Sequence, residues 1–161
     1  MSTRVIGCGN LHRSDDAAGV LVADRLRELG VPAEVQPGSA FELVESWYKD
    51  DDVILIDAVV TGSPAGTVHV WDGRAPKVPS NPQVSSHGFG VPEAINLARI
   101  LQLLPHSLRV YGIEGKNFGI GETVSPQVLR SVEQVAQQIA DPARVAQTPF
   151  AAESGCEVEE K

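Results

Sequence analysis

The sequence predicts a three-layer α/β/α sandwich on a mostly parallel sheet with one antiparallel strand. Three observations predict it. Short apolar runs alternate with amphipathic stretches in the order β-α-β-α-β-β-α-β-α. The run Val53-Ile54-Leu55-Ile56 is apolar at every position, as in a strand buried on both faces. One link, through Gly62, Pro64 and Gly66, is too short for a helical crossover.

The elements follow in order. Residues 4–8 read as a short strand, with Gly7 and Gly9 permitting a tight turn or a close backbone approach. Ser14 is the expected N-cap of a helix with Asp15 and Asp16 in its first turn. Ala18, Leu21, Val22, Leu26 and Leu29 form its apolar stripe, and Gly30 ends it. Residues 33–36 are a second strand. Pro37-Gly38-Ser39 then turns into a helix over about 40–48, and the acidic run 50–52 is a turn. The third strand, 53–56, ends at Asp57. Residues 67–71 form a fourth strand, read as the antiparallel partner of the third. Such a strand ends at the wrong edge of the sheet, so the long Pro-rich loop 73–86 is expected to return the chain and deliver His87 to the carboxyl edge. Pro92 opens a helix to about Leu104, residues 108–113 form the last strand, and 114–123 a Gly-rich loop. Ser125-Pro126 opens the final helix, to about Ile139. Residues 1–140 are expected to form one domain and 141–161 a frayed tail.

With 161 residues, 42% of them apolar and 21% charged, the chain has the length and composition of one globular domain. A net charge of −8 disfavours phosphate backbones and anionic membranes, so neither nucleic acid nor a membrane is an expected partner. Met1-Ser2-Thr3-Arg4 leads straight into a strand without the pattern of a secretory signal, and no apolar run approaches the ~20 residues of a membrane helix. The two cysteines, Cys8 and Cys156, lie far apart, which fits a reducing cytoplasm better than a disulfide framework.

Chemistry-bearing residues gather at strand ends: Gly7-Cys8-Gly9-Asn10, Ser14-Asp15-Asp16, Asp57 and Ser85-Ser86-His87-Gly88. In an open α/β sheet these positions share the crevice at the carboxyl edge. Gly7-x-Gly9 suggests a dinucleotide fingerprint, but position 12 is His and two carboxylates hold the helix turn where a pyrophosphate would sit. Acidic residues at a helix N-terminus are ordinary stabilisers, and that explains one of the pair. A carboxylate ending an apolar central strand is costly unless paired or cation-bound, which singles out Asp57. His87 gains its interest from Asp16 and Asp57; His12 is a weaker candidate, and His69 and His106 are ordinary. Asp16, Asp57 and His87 are too few for a closed structural metal site. They suit an ion that arrives already held by something else, or else a carboxyl pair acting as acid and base. Cys8 as a nucleophile with His87 as its base is a further possibility, set against simple packing.

On these residues the chain resembles the hydrogenase maturation peptidase family over about residues 4–139. The pattern is a strand, Gly-x-Gly-Asn, an acidic pair and a Gly, here Gly7-Cys8-Gly9-Asn10, Asp15-Asp16 and Gly19. The family's strand-end Asp falls on Asp57 and its His on His87. The segment Tyr111-Gly112-Ile113-Glu114-Gly115, with Phe118-Gly119, also resembles members. One segment departs: many members carry Asp-Gly-Gly-Thr where this chain reads Gln36-Pro37-Gly38-Ser39-Ala40.

The resemblance implies a phosphorylase/hydrolase-like sandwich and a cytoplasmic, aspartic-type endopeptidase. Its substrate would be the large-subunit precursor of a nickel-iron hydrogenase, trimmed of a C-terminal extension after nickel insertion. Asp16, Asp57 and His87 would be both the catalytic and the metal-recognising residues. No resident cofactor is expected, the nickel being presented by the substrate. Hydrolysis by a carboxylate-activated water and polarisation of the scissile carbonyl by the substrate's nickel both remain open. The competing readings are a non-enzymatic nickel-binding assembly chaperone and an aminopeptidase or amidase with its own metal.

Overall fold

The computed structural model describes residues 2–36, 39–76, 90–121 and 123–151. His87 and the departing Pro37-Gly38 pair therefore lie outside the described residues, as does Cys156.

Five strands form one sheet: β1 (Thr3–Cys8), β2 (Glu34–Gln36), β3 (Asp52–Val59), β4 (Val68–Asp72) and β5 (Ser107–Glu114). Their spatial order is β2-β1-β3-β5-β4. All neighbouring pairs are parallel except β4 with β5. The helices are α1 (Ala18–Glu28), α2 (Ala40–Glu45), α3 (Val91–Ile100), α4 (Pro126–Ala140) and α5 (Pro142–Gln147). Strand alternation divides the core in two. Ile54, Ile56, Tyr111 and Ile113 face α1 and α4, together with Val22, Val128 and Val135. Val53, Leu55, Leu108 and Val110 face α2 and α3, together with Leu43, Trp47, Ala94 and Ile95. Trp47 Nε1 donates to the Leu103 carbonyl at 2.8 Å and ties α2 to the end of α3. These are the three layers the sequence predicts.

The pairing of β4 differs from expectation. β4 is antiparallel, but its partner is β5, which lies between it and β3. β5 buries Leu108, Val110, Tyr111 and Ile113 on both faces, so the interior place beside β3 belongs to it. β4 carries Val68, His69, Trp71 and Asp72 partly exposed and takes the edge. A short link fixed the direction of β4 but carried no information on which strand it would reach.

Two boundaries also differ. β3 continues through Asp57 to Val59 because Asp57, Ala58 and Val59 stay in register with Gly112, Ile113 and Glu114. After Asp141 the chain remains ordered to residue 151 where fraying was expected. Asp141 caps α5 by accepting from Ala143 N at 3.1 Å. Arg109 donates to the Thr148 carbonyl at 2.9 Å and lies over the Phe150 ring at 4.5 Å. Ala151 N donates to the Val70 carbonyl on the free edge of β4 at 2.7 Å. These tethers are long-range, and apolar periodicity does not reveal them. No helix among the described residues is long and apolar enough to cross a membrane.

Candidate active site

The connections leave β1 in opposite directions: the chain passes from β1 outward to β2, then returns to lay β3 on β1's other side. The crevice between the carboxyl ends of β1 and β3 is thus a topological switch point, where open α/β sheets bind ligands. Asp16 follows β1, and Asp57 lies near the carboxyl end of β3.

Glycine makes the approach to this crevice possible. A Cβ on Gly19 would sit 2.2 Å from the Cys8 carbonyl oxygen and 2.3 Å from that of Ile56, so α1 starts directly upon β1 and β3. Gly9 has φ +133°, and a Cβ there would meet the Asp16 carbonyl oxygen at 2.1 Å. The loop then closes on itself. Asn10 N donates to the Asp16 carbonyl at 3.2 Å, His12 N to Asn10 Oδ1 at 2.9 Å, and Asp16 N to the Arg13 carbonyl at 3.0 Å.

The acidic pair splits into two roles. Residues Ser14–Ala17 form a 3-10 turn rather than the first turn of α1. Ser14 is not an N-cap: its φ is +48°, and its hydroxyl donates to the Thr123 carbonyl at 2.8 Å. Asp15 is 0% exposed. It accepts from Lys116 N at 2.8 Å, Asn117 N at 2.9 Å, and the amide and hydroxyl of Ser125 at 2.7 Å each. Burial alone would raise its pKa, but these donors outweigh burial and hold the carboxyl below its ordinary range. Asp15 is a staple between the 3-10 turn and the loop after β5.

Asp16 is left for chemistry. It is half-buried, and burial raises its pKa despite the opposing Arg13 charge and the Asn10 amide. Asp57 faces the α2/α3 side and accepts from Ala58 N at 2.9 Å. Burial first, and then the Asp16 charge, hold its pKa well above the ordinary carboxylate range, with a further push from Glu93. The structure therefore sets Asp16 near enough for its charge to act on Asp57.

Two features escaped sequence reasoning. Glu93, in the first turn of α3, also acts on Asp57, and its Oε2 is buried with no hydrogen-bond partner among the described residues. The first-turn position suggested a helix stabiliser, and only the packing of α3 against the sheet sets it beside Asp57. Glu114, 1% exposed, accepts twice from Thr61 N, at 2.8 and 3.1 Å, and also from the Thr61 hydroxyl. His69 Nε2 lies 3.3 Å from Glu114 Oε1, and its ring stacks on Trp71 at 5.1 Å. His69, on β4, is thus braced against the link that precedes the strand. A Glu closing an apolar strand was the available signal for this brace. Cys8 is buried beside Asp57, and burial first, then that carboxylate's charge, raise its pKa well above the ordinary thiol range. A nucleophilic thiolate needs an electropositive setting, so this environment favours packing.

Comparison with known proteins gives a consistent result. The family model described as HycI, hydrogenase maturation protease, matches residues 38–142. The hydrogenase expression/formation protein HupD of Thiocapsa roseopersicina is 30% identical over 148 residues, 83% of this chain and 67% of that protein. The hydrogenase 2 maturation protease of Escherichia coli K12 is 25% identical over 146 residues, 84% of this chain and 88% of that one. Among solved structures, the E. coli hydrogenase maturating endopeptidase HybD superposes with a TM-score of 0.70 at 24% identity, covering 86% of this chain and 90% of that chain. At that identity it speaks for the fold. A [NiFe] hydrogenase maturation protease HycI from Thermococcus kodakarensis KOD1 gives 0.63 at 28% identity with the same coverage.

Proposed function

The chain belongs to the hydrogenase maturation protease family, and from that premise we propose that it removes the C-terminal extension of a nickel-iron hydrogenase large-subunit precursor once nickel has been inserted. Asp16, Asp57 and His87 recognise the nickel the substrate carries. The observation that carries this reading is the division of labour in the acidic pair. Asp15 is saturated by four donors, whereas Asp16 is left without them and its charge adds to burial in raising the cost of ionising Asp57.

That repulsion suits a visiting cation. With the crevice empty, burial and the neighbouring charge favour a protonated Asp57. A nickel ion brought in by the precursor neutralises both carboxylates, so docking of the loaded substrate is coupled to proton release. A metal-free precursor offers no such compensation. In this reading the enzyme is an aspartic-type endopeptidase in role, with its site residues supplied by two carboxylates and one imidazole. The substrate's nickel polarises the scissile carbonyl as a Lewis acid. No cofactor of its own is required, and its place of action is the cytoplasm, with the unassembled large subunit.

The test is incubation of purified protein with nickel-loaded and metal-free precursor, read by gel mobility of the large subunit. Shortening of the loaded form alone is the expected result. Binding without shortening would replace the endopeptidase by an assembly chaperone, and equal cleavage of both forms would remove nickel from recognition. Asp16→Ala, Asp57→Ala and His87→Ala should each abolish shortening.

A further inference from the structure

The loop carrying Asp16 also displays apolar side chains that the core does not take. Leu11 is 54% exposed and Ile120 is 77% exposed. They come from loops more than 100 residues apart in sequence, yet Gly121 N donates to the His12 carbonyl at 3.2 Å and joins the two loops at the residues next to them. The backbone beneath them is not slack. The Asp15 staple holds the loop after β5 onto the 3-10 turn through Lys116, Asn117 and Ser125, and Ser14 adds its bond to Thr123. Asn10 N in turn holds the Asp16 carbonyl. The result is a braced apolar ridge continuous with the loop of Asp16, at the sheet edge where the substrate must arrive.

We infer that Leu11 and Ile120 form a docking ridge for the folded body of the large-subunit precursor, packing against an apolar surface beside the segment that is cut. This rests on the functional reading above. The argument for that occupant is continuity. The bond to be cut belongs to a protein whose metal must reach Asp16 and Asp57, so the rim of this crevice is covered by that protein at each turnover. Apolar side chains on a rigid rim lose little conformational freedom on contact and release ordered water, as anchor residues of protein interfaces do. Of the other large exposed apolar side chains, Tyr48 follows α2 and Ile100 ends α3, at the opposite edge of the sheet, whereas Phe41 and Leu129 stand in the first turns of α2 and α4.

The experiment measures steady-state processing of nickel-loaded precursor by wild type and by the Leu11→Ser/Ile120→Ser double variant, with melting curves in parallel. A ridge that only docks contributes equally to ground and transition states, so its loss raises KM and leaves kcat near wild type. We expect kcat/KM to fall about tenfold or more through KM, with an unchanged melting temperature and recovery in Leu11→Met/Ile120→Met. Should the double variant melt early, Ile120→Ser alone, at the more exposed position, carries the same expectation. Unchanged kcat/KM, or a fall in kcat at constant KM, overturns the ridge while leaving the functional reading intact. Wild-type protein that fails to process loaded precursor overturns the functional reading, and the ridge with it.

Discussion

Asp15 and Asp16 are adjacent and chemically identical, yet replacing each by Ala should fail in opposite ways. Asp15→Ala strips four donors of their acceptor: the amides of Lys116, Asn117 and Ser125 and the Ser125 hydroxyl. A buried donor left unpaired costs ~1–3 kcal/mol, and breaking a buried charged network costs ~3–5 kcal/mol in all, because some donors reach water. Against a typical total of ~5–15 kcal/mol this is a large fraction. For a chain of this size it lowers the melting temperature by roughly 10 °C. Asp16→Ala removes a half-buried carboxylate whose ionisation burial opposes, so it should cost about 1 kcal/mol or less and melt within about 3 °C of wild type while losing processing. The Asp15 contribution also has a defined pH dependence. Its folded pKa lies below the unfolded value, so its stabilisation is complete above the unfolded carboxylate range near ~3.9 and is lost as pH falls through the folded pKa. Denaturant titration of wild type and Asp15→Ala from pH 7 into acid should therefore show the gap between them closing. An Asp15→Ala protein within ~1 kcal/mol of wild type at pH 7, or an Asp16→Ala protein as unstable as Asp15→Ala, would refute the division.

Asp57→Asn should abolish processing and raise stability at neutral pH. Burial raises the folded pKa of Asp57, so ionisation opposes folding as pH climbs above the unfolded carboxylate value; the gain should be absent in acid and grow with pH in parallel melts. Gly19→Ala should destabilise by about 3 kcal/mol or more, since its Cβ would meet two carbonyl oxygens of the sheet and α1 would have to lift; wild-type denaturation would contradict that close approach. Cys8→Ser should still process precursor in a gel-mobility assay, and a folded but inactive variant would restore the thiol as nucleophile.

Much of this architecture was legible in the sequence, because it follows from periodicities that act locally. The apolar run at 53–56 marked an interior strand, and the position of Asp16 after β1 and of Asp57 at the end of that apolar run placed them toward the carboxyl edge, although β3 itself continues to Val59. Both follow from side-chain alternation and from the way parallel strands present their ends. The antiparallel sense of β4 also came from a local quantity, the length of its link. What that link reached did not. β5 occupies the place beside β3 because it buries apolar residues on both faces, a comparison between segments some 40 residues apart. The same limit explains the acidic pair. Nothing in Ser14-Asp15-Asp16 distinguishes the two carboxylates; the amides that claim Asp15 come from residues 116, 117 and 125, brought in by the chain's return after β5. Glu93 met Asp57 by the packing of α3 on the sheet, and the residues after Asp141 were held by Arg109 and Val70. Local pattern determined the elements and their order along the chain. Long-range packing decided which of two adjacent carboxylates stabilises the fold and which is free to act, because only the assembled core fixes where buried donors lie.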